Sequence, residues 1–308
     1  AAVKVGESDF TVCVDGERWP EHFEKLWQLR YSPDGRLSAL VSTGGEWTVA
    51  VDGAPWENRF GYAWDTRFSR DGRHIAVAFQ QDMAYGMACD DVPWEATFPN
   101  LTHPALSPDG GVTAAVVQIE PLGEGDIQKY QQGIYTVAAG GSPWAKRFVN
   151  VWKTAFSPDG ASLAAEIRLS LYDYTIAVDG TPWEQTFAGV WEPAFHPGRG
   201  SVLAPVRIQG RWGLAETGRE SWERRFVQLW HLTFSPGGRR LAAIVAPSYG
   251  RWTVAVDGAP WPVTVGEMMA DLVFSPDGAR VAAVVKDRGR WRLGVDGRIW
   301  QQTFDMGR

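Results

Sequence analysis

One aromatic segment recurs along the whole chain and constrains its fold more than any other feature of the sequence. Its typical copy runs from Trp47 to Phe60 and reads WTVAVDGAPWENRF. All copies share a tryptophan just after a turn, at Trp19, Trp56, Trp94, Trp144, Trp183, Trp222, Trp261 and Trp300. Neighbouring copies are 37 to 40 residues apart, with one interval of 50. A constant period of this length is typical of repeat architectures, in which each repeat is one supersecondary unit.

A second motif lies between the copies and divides each repeat into two hairpins. It reads Ser-Pro-Asp-Gly at residues 32–35, where proline and glycine favour a tight turn. Apolar runs such as residues 75–79 and 163–167 follow these turns and predict strands covered on both faces. The aromatic segment adds a third strand, a turn, and a fourth strand whose proline favours an exposed edge. Each repeat therefore predicts four antiparallel strands.

Four short strands per period of about 40 residues predict an all-β fold, a β-propeller of four-stranded antiparallel blades. The pattern Phe-Ser-Pro-Asp-Gly-x-x-Leu-Ala-Ala, complete at residues 156–165, resembles the WD40-like and TolB-type propeller repeat, and the resemblance covers essentially the whole chain. We expect one propeller domain over residues 1–308. Seven central turns predict seven blades, with the N-terminal hairpin at residues 10–23 joining the last blade. Eight blades, one of them incomplete, are the alternative.

Composition excludes several classes of function. The formal charge of -6 comes without a basic stripe, which argues against nucleic acid as a partner. No apolar stretch approaches the roughly 20 residues of a membrane-spanning helix. Cys13 and Cys89 are the only cysteines, so a disulfide framework is excluded, and two dispersed thiols or a single disulfide remain. The start at Ala1 has no signal peptide, which fits a cytoplasmic protein, although a mature secreted protein would look the same.

The polar residues show no catalytic or metal-binding pattern. Six aspartates recur at the turn of the aromatic segment, and we interpret them as structural turn residues: Asp15, Asp52, Asp90, Asp179, Asp257 and Asp296. Histidines are scattered without the spacing of a metal site, at His22, His74, His103, His196 and His231. No nucleophile elbow or phosphate-binding loop is present. We therefore expect no enzyme activity, no cofactor and no metal.

The loops between the second and third strands differ from repeat to repeat, and we expect specific recognition there. The longest covers residues 118–133, and a segment of this length inside a compact domain is either functional or disordered. It is an interaction arm in one interpretation and a solvated insertion in the other. The candidate partner-binding residues on these loops are Glu120, Leu122, Glu124, Asp126, Ile127, Tyr130, Tyr172 and Tyr249.

Seventeen tryptophans are unusual for 308 residues, and all of them fall in columns of the repeat. Five begin the first strands: Trp27, Trp64, Trp152, Trp191 and Trp230. Such rings could stack on sugars, but their regular spacing favours a packing layer between blades, in which each buries about 150–250 Å².

The tryptophan-rich composition and the repeated Val-Asp-Gly-x-Pro-Trp-Glu and Phe-Ser-Pro-Asp-Gly units resemble the tryptophan-rich subunit of the transmembrane redox complex of sulfate-reducing bacteria. That complex joins a periplasmic multihaem cytochrome c3, a membrane cytochrome b and a cytoplasmic iron-sulfur protein. The resemblance implies a non-catalytic scaffold on the cytoplasmic side of the inner membrane that contacts the redox subunits and carries no electrons. The alternative is a periplasmic TolB-like propeller that binds envelope protein or glycan.

Overall fold

The computed structural model describes residues 1–305, in which the regular elements are all β-strands except for one short helix. The strands form eight antiparallel sheets in chain order, one for each copy of the aromatic segment. Seven sheets have four strands and the first has three. Within residues 1–305, no helix is long and apolar enough to span a membrane. The all-β architecture is consistent with a β-propeller.

The chain separates into two compact units, Ala1–Leu163 and Ala164–Arg308, and each is described by itself. The single domain over residues 1–308 stays a prediction. The first unit holds β1 Ala2–Gly6, β2 Asp9–Val14, β3 Glu17–Arg18, β4 Lys25–Tyr31, β5 Leu37–Thr43, β6 Glu46–Val51, β7 Ala54–Pro55, β8 Tyr62–Phe68, β9 Ile75–Gln81, β10 Ala84–Cys89, β11 Val92–Pro93, β12 Asn100–Leu106, β13 Thr113–Gln118, helix α1 Ile127–Gln132, β14 Tyr135–Ala139, β15 Ser142–Pro143 and β16 Asn150–Phe156.

The next strand, β17 Leu163–Arg168, begins at the last residue of the first unit. The second unit continues with β18 Tyr174–Val178, β19 Thr181–Pro182, β20 Ala194–Phe195, β21 Val202–Ile208, β22 Arg211–Glu216, β23 Arg219–Glu220, β24 Gln228–Phe234, β25 Leu241–Ser248, β26 Arg251–Val256, β27 Ala259–Pro260, β28 Met268–Phe274, β29 Val281–Asp287, β30 Arg290–Val295 and β31 Arg298–Ile299.

The prediction of seven blades is wrong, because the structure has eight sheets. Residues Ala2–Gly6 form a strand that pairs antiparallel with Asp9–Val14, so the N-terminal hairpin belongs to a sheet of its own. The last sheet already has four strands, β28 to β31, and does not use that hairpin. The first sheet has three strands, so the alternative of eight blades with one incomplete describes the structure.

The middle strands of each repeat carry the core. Ile75 to Phe79 are all buried, as the unbroken apolar run predicts for a strand covered on both faces. The fourth strand is shorter than predicted. Its ladder has two residues in each sheet, as in Ala54–Pro55, and one further bridge joins Trp47 to Phe60. The proline at its second position cannot donate to the ladder, which suits an edge strand.

In five repeats the tryptophan after the turn packs on the turn glycine of the following repeat. Trp19 lies against Gly53, where an added Cβ would come within 3.1 Å of the indole. Four further pairs show the same approach, at 3.1 to 3.4 Å: Trp94 with Gly141, Trp183 with Gly218, Trp222 with Gly258, and Trp261 with Gly297. These five tryptophans are only 7 to 9% exposed. The column of tryptophans therefore joins successive sheets, and the glycine is required both for its positive φ and for this close approach.

Candidate functional site: the variable loop tips

The turn ends of the sheets are fixed by hydrogen bonds that repeat from sheet to sheet. Asp52 has a φ of 49° and the next residue, Gly53, one of 90°, as a type I′ hairpin turn requires. The Asp52 carboxylate accepts a hydrogen bond of 2.8 Å from the backbone N–H of Leu37. Asp90, Asp257 and Asp296 bind the first residue of their second strands in the same way. For these four aspartates the interpretation as structural residues is confirmed, although they cap the neighbouring strand rather than their own turn.

The Ser-Pro-Asp-Gly turns contain a second repeated hydrogen bond. The Ser107 hydroxyl donates to the Asp109 carboxylate at 2.6 Å and accepts from the Val112 N–H at 2.9 Å. This serine bond is the largest cause of a pKa below the ordinary value for Asp109 and for its counterparts Asp34, Asp71, Asp159 and Asp277. The carboxylates of the turn end are thus engaged in holding the backbone.

The thiols and the metal-ligand types give no reactive centre. Cys13 and Cys89 are both free, so neither forms the single disulfide that the sequence left open. Burial raises the pKa of the Cys89 thiol to about 12, which leaves it protonated and weakly nucleophilic at neutral pH. Across residues 1–305, no three His, Cys, Asp or Glu side chains are grouped as a metal site.

The opposite end of each sheet carries the loop between the second and third strands. The three most exposed large apolar side chains of the described structure lie on these loops: Met83 at 78%, Tyr172 at 80% and Tyr249 at 89% exposure. We define the loop tips by these residues and by three further exposed apolar side chains, Leu122, Ile127 and Leu171. Other exposed large apolar side chains lie on first strands, such as Tyr31, or on outer segments, such as Val92.

The long loop of the first unit, residues 119–134, is ordered by ion pairs at its base. Glu120 accepts from Arg147 at 2.5 Å and lies 3.2 Å from the Lys129 ammonium group. These two bonds, that of Arg147 first, hold the pKa of the Glu120 carboxyl below its ordinary value. The Ile119 N–H donates to the Ile134 carbonyl and closes the loop. Glu120 therefore holds the base of the loop in place, and its contact with a partner stays a prediction.

The remaining predicted residues of this loop point to different roles. Asp126 precedes α1 and accepts a hydrogen bond from the Gly123 N–H at 3.0 Å. Glu124 and Asp126 are exposed, Tyr130 is half-buried, and Ile127 is 66% exposed at the start of α1. The apolar surface that a partner would meet here is thus Leu122 and Ile127.

The second unit holds the other two predicted residues, Tyr172 and Tyr249. Arg168 donates to the carbonyls of Ser170 and Leu171, both at 2.9 Å, and so fixes the loop that presents Tyr172. In the next loop but one, Arg211 donates to the Pro247 carbonyl at 3.3 Å beside Tyr249. Sequence reasoning found both tyrosines but missed Met83 and Leu171, since a single apolar residue in a short loop carries no periodic signal.

The first-strand tryptophans are half-exposed, and their packing partners lie on the third strand of their own sheet. Trp27 stacks on Trp47 with ring centroids 4.4 Å apart, and it also meets Tyr62 of the next sheet edge-on at 6.3 Å. Trp191 lies 5.2 Å from Trp212 in the second unit. Trp27 and Trp191 are 41% and 43% exposed. These rings thus pack closely within their own sheet, whereas the sequence predicted a packing layer between blades.

Comparisons with known proteins find similar folds but no matching family. No protein-family model matches the chain, and no curated protein matches its sequence. A crystal structure of the eukaryotic initiation factor is similar, with a TM-score of 0.51 and 12% identity over 88% of this chain and 73% of that chain. The crystal structure of Porphyromonas gingivalis dipeptidyl peptidase 4 has a TM-score of 0.51 and 14% identity over 96% of this chain. The chain spans only 58% of the peptidase's length. At such identities the likeness shows the propeller-type fold alone.

Proposed function

We propose that this protein is a non-catalytic interaction scaffold that docks partner proteins through its loop tips. The observation that carries the proposal is the exposure of Met83, Tyr172 and Tyr249, the three most exposed large apolar side chains, all on the variable loops. Exposed apolar and aromatic residues on loops held by rigid sheets are the usual anchors of protein interfaces. The exposed apolar side chains beside the turns are less exposed than these three, with Val92 at 70% and Tyr31 at 63%. The polar groups of the turns are engaged in repeated hydrogen bonds.

The finer proposal is that the partners are subunits of a membrane redox complex: an iron-sulfur protein, a cytochrome b and a multihaem cytochrome c. Support for it comes from the tryptophan-rich composition and the repeated Val-Asp-Gly-x-Pro-Trp-Glu unit. In this role the protein lies on the cytoplasmic face of the inner membrane, carries no cofactor of its own and stabilises the iron-sulfur subunit.

The test is purification of the tagged protein from detergent-solubilised native membranes, with a visible spectrum and identification of the co-eluting proteins. A first variant replaces residues 121–132 by a short linker and keeps the bond between Ile119 and Ile134 at the loop base. A second variant carries Tyr172→Ala and Tyr249→Ala. We expect the unaltered protein to bring down haem-bearing and iron-sulfur subunits, and each variant to lose them while remaining folded by circular dichroism.

The matched control is Val92→Ala, which removes a 70% exposed apolar side chain from an outer strand far from any variable loop in its sheet. It should retain all partners. Retention of the partners by both loop variants would contradict docking through the loop tips. A colourless and solitary protein would contradict membership of the redox complex and would favour the envelope-binding alternative.

A further inference from the structure

The sixth sheet breaks the repeat at its first strand. In this sheet β20 has only two residues, Ala194–Phe195, whereas β24 in the next sheet has seven. Pro193 and Pro205 lie where the two strands would otherwise pair, and neither has an N–H for a ladder. The Trp191 N–H donates to the Pro205 carbonyl at 3.0 Å, and pairing resumes beyond it, where the Arg207 N–H donates to the Gly189 carbonyl at 2.8 Å. A cavity of about 640 Å³ lies beside this break in the second unit.

Three indole rings form the walls of this cavity: Trp191, Trp230 and Trp252. Trp230 and Trp252 meet edge to face, with ring centroids 4.7 Å apart and an angle of 64° between the ring planes. Trp191 is 43% exposed on the other side. The volume lies within the usual range of small-ligand sites, about 300–1,000 Å³.

The polar character of the walls favours a positively charged ligand. None of the described residues that line the cavity is lysine or arginine, and the two prolines contribute no N–H donors. The polar side chains among the described lining residues are Gln228, His231 and Glu192, so an anion would meet no lysine or arginine there. Indole is the aromatic ring that attracts cations most strongly, by about 0.5–2 kcal/mol for each contact.

We propose that this cavity binds an organic cation, an alkylated ammonium or guanidinium group, between the rings of Trp191, Trp230 and Trp252. Three indole rings around one cavity suit such a group, because an indole ring attracts a positive charge. The inference is independent of the loop-tip docking, because it concerns residues on the first and third strands and in the segment before β20. The cation is carried either by a small metabolite or by a side chain of a partner.

Isothermal titration calorimetry of the full chain tests the proposal with choline and with neohexyl alcohol, in which carbon replaces the quaternary nitrogen. We expect choline to bind at least about ten-fold more tightly than the neutral alcohol, the combined effect of several cation–π contacts. Trp191→Ala should weaken choline binding about ten-fold, and Trp191→Phe should weaken it less, since phenylalanine keeps a smaller π face. Should Trp191→Ala fail to fold, the Phe variant still gives the comparison.

The matched control is Trp27→Ala, which removes an equivalent, 41% exposed tryptophan from the first unit. It should leave choline binding unchanged. Equal binding of choline and the neutral alcohol, absence of saturable choline binding, or equal losses in Trp191→Ala and Trp27→Ala would each overturn the proposal. A short peptide that contains trimethyllysine distinguishes the two sources. Tighter binding of the peptide than of choline assigns the site to a partner's side chain, and the reverse assigns it to a metabolite.

Discussion

The two ends of each sheet differ in how much the repeat fixes them. At the turn end the same hydrogen bonds recur. The Leu37 N–H donates to the Asp52 carboxylate, and the Ser107 hydroxyl donates to the Asp109 carboxylate. At the loop end, Arg168 fixes one loop and Glu120 another, by unrelated contacts. The turn end is therefore specified by folding, whereas the loop end is free to vary with function.

The turn end also links successive sheets. Arg36 donates to the Gly72 carbonyl of the next repeat at 2.5 Å, and the Arg70 N–H donates to the Pro108 carbonyl of the following one at 2.8 Å. At the loop end, the Arg211 guanidinium also donates to the Pro247 carbonyl of the next repeat, at 3.3 Å. A change at the turn end thus disturbs two sheets at once, whereas the side chain of Tyr249 takes no part in the loop-end bond.

The largest effect should come from Gly72→Ala at the turn end. Gly72 has a φ of 80°, and an added Cβ would lie only 2.4 Å from the Asp34 backbone nitrogen. Left-handed strain and overpacking together should lower the free energy of unfolding by about 4 kcal/mol. Urea denaturation measures this value against Gly35→Ala. Gly35 has a φ of 92° but open space around it, so its variant should lose only about 1–2 kcal/mol. Equal losses would show that the contact between turns is unimportant.

Asp52→Ala should have the next largest effect. The change leaves the N–H of Leu37, a residue only 5% exposed, without its acceptor, and places alanine at a φ of 49°. We expect a loss of about 2 kcal/mol in urea denaturation. Asp52→Asn keeps an acceptor oxygen and a residue that tolerates this backbone, so it should lose less than half as much. A full loss in the Asn variant would assign the effect to charge instead.

Ser107→Ala should cost about 1 kcal/mol at neutral pH, because the Val112 N–H loses its acceptor. The substitution should also change how the free energy of unfolding depends on pH in the acid range. The lowered folded-state pKa of Asp109 contributes stability at pH above its ordinary value of 3.8, and this contribution disappears as the pH falls through the lower folded-state value. Without the serine bond, the stability of the variant should depend less on pH below about 4. If the free energy of unfolding falls equally steeply with acid pH in the variant and in the unaltered protein, this account is contradicted.

The same contrast explains how much the sequence could predict. Turn chemistry and strand order are local, so the Asp-Gly and Ser-Pro-Asp-Gly hairpins were predictable from neighbouring residues. The strand at Ala2–Gly6 lies before the first aromatic copy and carries no turn motif to mark it. Its omission led to the prediction of seven blades. Its partner, Asp9–Val14, follows it directly in the chain, so the strand was missed because it lacks the repeated motif and not because its partner is distant.

The candidate sites depend on contacts between residues that are distant in sequence. Glu120 and Arg147 are 27 residues apart, so their ion pair could not be inferred from either residue alone. Pro193 and Pro205 are visible as breaks in the repeat, yet the cavity depends on how Trp191, Trp230 and Trp252 are placed around them. Tyr172 and Tyr249 were chosen as candidate partner contacts because their loops vary between repeats; both are exposed, and their contact with a partner stays a prediction.

The smallest effect on stability should come from the loop tips. Tyr249→Ala removes a side chain that is 89% exposed, so the free energy of unfolding should change by no more than about 0.5 kcal/mol. Urea denaturation checks this, and the slope of the transition should stay the same, because little surface is buried at that position. If the proposed docking is right, the same variant binds its partner more weakly, so that stability and binding separate. A stability loss above 1 kcal/mol would mean that Tyr249 supports the fold, and the distinction between the two ends would then not hold for that sheet.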